Sequence, residues 1–101
     1  MTEEITTQPS YRVPNKITLE HCAKIGIIED KPIMFDFWTD SLDKSALIGI
    51  RTESGEKLLV KSEDEYTSPI SKIYKVEGDF IIITENSIYV VDGDIKTSRI
   101  S

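Results

Sequence analysis

The sequence predicts a small, mainly β domain with a minor α component: an antiparallel β-meander or curled β-barrel with one short N-terminal helix. Three observations carry that prediction. Short runs rich in Ile, Val, Phe and Tyr recur through the last third of the chain between tight-turn clusters. Apolar residues alternate with period two just after Pro32, and a single stripe at helical spacing precedes them.

Taken in order, Met1 to Ser10 read as a flexible tail, because the polar run Thr6-Thr7-Gln8-Pro9-Ser10 has little to bury against its ordering entropy. Residues 11–101 form the β-rich domain. Tyr11-Arg12-Val13 precede Pro14, which biases Val13 to extended geometry and makes the stretch an edge strand or a lead-in. Thr18 is a good helix N-cap, and Leu19, Cys22, Ala23, Gly26 and Ile27 follow at one-face spacing. The expected helix runs two to three turns and ends before Pro32, with Lys24 to Ile28 as a strand the competing reading.

From Pro32, Ile33, Phe35 and Phe37 point to the core while Met34, Asp36 and Trp38 point away. After a polar loop from Thr39 to Ser45, Ala46 to Arg51 and Lys57 to Lys61 read as a hairpin turning at Glu53-Ser54-Gly55-Glu56. A second polar loop, Ser62-Glu63-Asp64-Glu65, follows. Ile70 to Val76, Phe80 to Thr84, Ser87 to Val91 and Ile95 to Ile100 then read as a meander, separated by Glu77-Gly78-Asp79, Glu85-Asn86 and Asp92-Gly93-Asp94. Thr67-Ser68-Pro69-Ile70-Ser71 and Thr97-Ser98-Arg99-Ile100-Ser101 look alike, with Thr84-Glu85-Asn86-Ser87-Ile88 a looser relative. Recurrent hydroxyl turn chemistry accounts for this more simply than duplication does.

With 101 residues the chain has the length of one domain. A formal net charge of −6 argues against binding nucleic acid through its phosphates, and against an anionic membrane surface. No apolar run reaches the roughly 18 residues of a membrane helix, and the acidic start Met1-Thr2-Glu3-Glu4 is unlike a basic signal sequence, so the expected compartment is cytoplasmic. The lone Cys22 excludes an intrachain disulfide and a multi-thiolate metal site.

No constellation reads as catalytic. His21 and Cys22 are neighbours about 100° apart on a helix and do not face each other, so a buried thiol beside a surface imidazole is the expected arrangement. Carboxylates at Glu29-Asp30, Asp36, Asp40, Asp43 and Glu63-Asp64-Glu65 match no calcium-loop spacing and read as solvated surface. Lys72, Lys75, Lys96 and Arg99 are too few, and too interleaved with acids, for a nucleic-acid stripe. Met34, Asp36 and Trp38 with Tyr66 and Tyr74 could form an aromatic contact surface, since Trp and Tyr are enriched at the energetic centres of interfaces.

The strings Glu29-Asp30-Lys31-Pro32-Ile33, Glu65-Tyr66-Thr67-Ser68-Pro69-Ile70 and Thr84-Glu85-Asn86-Ser87-Ile88-Tyr89 resemble those of small uncharacterised proteins encoded by large double-stranded DNA viruses. The resemblance spans about residues 17–91. It implies a setting, the infected cytoplasm, a viral factory or the virion, and carries over no functional residue.

The function expected from the sequence is therefore a non-enzymatic protein-interaction module, a viral accessory or minor virion protein. Its expected partner is another protein, with no cofactor or metal, and a homodimer could form through the C-terminal strand edge at Ile95 to Ile100. The alternative is a small metal-dependent hydrolase using the acidic residues Asp36 and Asp40 with His21. A β-barrel that binds single-stranded nucleic acid through aromatics is disfavoured by charge.

Overall fold

The structure, a computed structural model, describes residues 12–100. The expected tail, Met1 to Ser10, lies outside the described residues. Among the described residues two helices and seven strands follow one another: α1 (Lys16–Glu29), β1 (Ile33–Met34), α2 (Trp38–Leu42), β2 (Leu47–Arg51), β3 (Lys57–Val60), β4 (Ile70–Val76), β5 (Asp79–Thr84), β6 (Ile88–Asp92) and β7 (Thr97–Ile100). The fold is mainly β with a minor α component, as the sequence predicts. The strands make two open sheets rather than a closed barrel. Sheet A has the order β1-β6-β5-β4, and sheet B the order β3-β2-β7.

Sheet A is the middle layer. Its central strands, β5 and β6, are apolar at nearly every position because both of their faces are covered. On one face Ile82 and Val91 pack with Ile48, Leu59, Ala46, Ile95 and Phe37, which fills the space between the sheets. On the other, Ile81, Ile83, Ile88 and Val90 pack with Cys22 and Trp38 beneath the helices. β4, β5 and β6 form the expected meander, and the two-residue turn Glu77-Gly78 has φ values of 50° and 85°, the left-handed pair of a type I′ hairpin.

The meander does not continue into the last strand. β7 crosses to the other sheet and pairs in parallel with β2, Ile48 opposite Thr97. The crossing is tight at Gly93, whose N–H bonds the Gly78 carbonyl at 2.9 Å; a Cβ on Gly93 would stand 2.6 Å from that same oxygen. β1 is also parallel to its partner, β6, so neither sheet is wholly antiparallel.

α1 is longer than expected, 14 residues, and begins earlier: Asn15 is the N-cap, its side chain accepting from the Ile17 N–H, in place of Thr18. It ends at Asp30, whose left-handed φ of 55° lets its N–H reach the Gly26 carbonyl. The competing strand at Lys24 to Ile28 does not form.

The buried face of α1 is turned from the expected stripe. Thr18, Cys22, Ile25 and Gly26 face the sheet, whereas Leu19, Ala23 and Ile27 face solvent, with Ile27 82% exposed. Two anchors set this rotation. The Thr18 hydroxyl is 2.9 Å from Asp79 Oδ2 and 3.0 Å from the Val76 carbonyl. Gly26 seats against Ile33, whose Cδ1 would lie 3.2 Å from a Cβ.

The alternation after Pro32 stops after two residues. Trp38 N–H bonds the Phe35 carbonyl, and the chain turns into α2 where a polar loop was expected. Phe37 is core, 5% exposed, and stands edge-on to Tyr89, but Phe35 is 48% exposed and is not the core residue that period two implied. The adjacent Phe37 and Trp38 enter the two different cores.

Candidate functional site

The outer face of sheet B, away from both cores, carries a groove of about 620 Å³, within the range of ligand-binding clefts. Strand alternation builds it. Leu59 and Ile48 point inward, so Leu58, Val60 and Leu47 point outward, and Ile100 joins them from β7. Gly49 lies between, with no side chain to keep Ile100 and Val60 apart; a Cβ there would come 2.8 Å from Ile100 Cδ1 and 3.0 Å from Val60 Cγ2. The floor is thus aliphatic.

The rim is aromatic and mostly basic, with Glu63 its one acidic residue among the described lining. Arg51 and Arg99 line it, and neither has a carboxylate within 4.0 Å among the described residues. Lys61 is engaged by Asp40 at 3.5 Å and Glu65 at 3.9 Å. The Tyr66 ring, 53% exposed, lies 5.9 Å from the Arg51 guanidinium. Tyr66 is held there by its bridge to Val60, and its neighbour Thr67 accepts from the Leu59 N–H at 3.1 Å. This covers part of the β3 edge and, among the described residues, leaves β7 as the open edge of sheet B.

A second cluster lies where α1, β5, β6 and α2 meet. Asp79 and Asp92 are register partners on β5 and β6, and the Arg12 guanidinium bridges them at 2.6 and 3.1 Å, while Lys44 reaches Asp92 at 3.0 Å. Asp79 also accepts from the Asn15 N–H at 2.9 Å, and Arg12 stacks 4.8 Å over Trp38, whose indole N–H bonds the Arg12 carbonyl. Burial pulls the Asp92 pKa up, but hydrogen bonds and charge from Lys44 and Arg12 outweigh it and leave the carboxyl below the ordinary range. For Arg12 burial acts downward, and the two carboxylates more than offset it, so its pKa is raised. Among the described residues no buried side-chain nitrogen or oxygen lacks a hydrogen-bond partner. The cluster is therefore closed on itself, a latch that ties the segment before α1 to the hairpin.

The five residues expected to form one contact surface are scattered. Trp38 is 8% exposed and occupied by Arg12, so it is a core residue rather than part of a surface. Met34 and Tyr74 lie at opposite edges of sheet A, on β1 and β4, and Asp36 is exposed in the turn before α2. Tyr66 alone reaches the groove. Its neighbours there, Arg51 and Arg99, carried no sequence signal beyond alternation in the hairpin and a charge near the C-terminus. Asp36, Asp40 and His21 do not gather: among the described residues no three His, Cys, Asp or Glu side chains stand close enough together to hold a metal ion.

Cys22 is 1% exposed, and burial pushes its thiol up to about 11. Alkylation by iodoacetamide at pH 8 is expected to be at least about 100-fold slower in the native protein than in urea, since only the exposed thiolate reacts. Equal rates would mean that the helix opens locally.

No family model, no curated protein and no solved structure matches this chain. No helix among the described residues is long and apolar enough to cross a membrane.

Proposed function

We propose that this domain is a non-enzymatic protein-interaction module whose working surface is the outer face of sheet B. The groove there is the observation that supports this reading: an aliphatic floor flanked by two guanidinium groups without carboxylate partners among the described residues and by an exposed tyrosine, on a chain whose net charge is −6. Tyr and Arg are the residues that most often dominate binding energy at protein interfaces. Other polar clusters, such as that around Asp79, have their hydrogen bonds satisfied within the chain. The resemblance to small proteins of large double-stranded DNA viruses adds a setting, an infected cytoplasm or virion, in which the module would act as a viral accessory or minor virion protein.

The test is to select peptides from a display library against the domain and to map their binding by amide chemical shifts. Perturbation centred on β2, β3, β7 and Tyr66 is the expected result. Perturbation confined to Met34 to Asp36 and the outer face of α1 would overturn the assignment of the surface.

A further inference from the structure

The open edge of β7 gives the groove a direction and its occupant a chemistry. Ile48 N–H bonds the Lys96 carbonyl at 2.9 Å, and Thr52 N–H bonds the Ile100 carbonyl at 3.4 Å. In a parallel ladder that parity turns residues 96, 98 and 100 toward β2 and leaves the N–H and C=O of Thr97 and Arg99 pointing outward. No other described strand pairs with them. Such an edge is a template for one more strand. Next to it stand the exposed Lys96 and Arg99, and across the floor Arg51.

We propose that sheet B binds an extended partner segment of alternating apolar and acidic residues, which adds as a fourth strand beside β7. Its backbone pairs with Thr97 and Arg99, its apolar side chains extend the floor at Ile100, and its carboxylates, on the opposite face, meet Arg99. This rests on the reading of sheet B as an interaction surface and names its partner's chemistry. Charge complementarity selects that partner over a second copy of the chain, because two β7 edges side by side would set the Lys96 and Arg99 of one against those of the other, and like charges across a strand pair destabilise it.

The experiment titrates the full chain with an eight-residue, end-blocked peptide alternating Glu and Val, and with its Lys and Val counterpart, by fluorescence anisotropy. The acidic peptide is expected to bind with a dissociation constant on the order of 10–100 μM at low salt, as suits a short strand addition, and to weaken as ionic strength screens the charges. Arg99→Ala should weaken it several-fold, as the loss of a charge-assisted contact does, and Thr97→Pro, which deletes an outward N–H and keeps the inward ladder, should weaken it at least as much. Near-ultraviolet circular dichroism of Trp38 checks that each variant is folded.

Equal binding of the two peptides, or no binding of either, overturns the proposal. Acidic-peptide binding that is indifferent to Thr97→Pro in a folded variant overturns the strand addition while leaving the groove as the interaction surface. Light scattering that shows a dimer at about 100 μM, dissociated by Thr97→Pro, would give the edge to a second copy and overturn the acidic partner.

Discussion

Ile82→Ala is expected to lower the free energy of unfolding by about 2–5 kcal/mol, the range for large-to-small changes at positions that cannot collapse around the void. Ile82 has no exposed surface and sits at the centre of sheet A, between Ile73 and Tyr89 in register, with Leu59 and Ile48 across the intersheet space. Phe37→Ala belongs to the same core and should cost about 3–5 kcal/mol. Phe35→Ala, two residues earlier and half exposed, should cost less than about 1 kcal/mol. Urea unfolding followed by Trp38 fluorescence measures all three. A Phe35 variant as damaging as the Phe37 variant would mean that the chain stays extended beyond Met34, as period two alone would have it, and that α2 is misplaced.

Arg12→Ala is expected to cost about 2–3 kcal/mol at pH 7, and the loss should shrink only as the pH falls below the ordinary 3.8 of the Asp92 carboxyl. Removing one partner of a fully buried ion pair costs roughly 3–5 kcal/mol, but the Arg12 side chain is 45% exposed and water already screens part of its charge. Without it Asp79 and Asp92 stand side by side with only Lys44 between them and neutrality. One of the two cations that hold the Asp92 carboxyl low is then gone, so the variant has less of that stability to lose in acid. The parent keeps both cations. Its Asp92 has a folded pKa below the ordinary 3.8, so the stability it contributes is complete above that value and is lost only as the pH falls through the folded one. The deficit of the variant should therefore hold between pH 7 and 5 and narrow below the ordinary 3.8. A deficit as large at about pH 3 as at pH 7 would show that the Asp92 carboxylate does not depend on Arg12.

What the sequence made legible was local. The turns at Gly55 and Glu77-Gly78, the hairpins they close and the strands β5 and β6 follow from residue types whose preferences act within four or five positions. The hydroxyl clusters are also local, since Thr84 caps its own turn by accepting from the Asn86 and Ser87 N–H groups. The parallel pairings of β1 with β6 and β2 with β7 were not legible, because contacts between distant segments leave no periodicity in either. The rotation of α1 escaped for a related reason. Its deepest residue by function is the polar Thr18, held by Asp79 sixty-one positions away, and an apolar stripe cannot register such a bond. Of the site, Tyr66 was named among the contact aromatics, but Arg51 gained its meaning only when β7 brought Ile100 and Arg99 beside it.

The crossing of β7 from one sheet to the other also sets an order of events in folding. β4, β5 and β6 touch through short turns, so they can assemble at little loop-closure cost. Sheet B cannot be completed that way, for Ile48 must find Thr97 across nearly half the chain, a high contact order that slows docking. Its third strand should therefore arrive last and leave first. Amide exchange at Ser98 and Ile100, the two β7 donors turned toward β2, would then run faster than at Ile81 to Ile83.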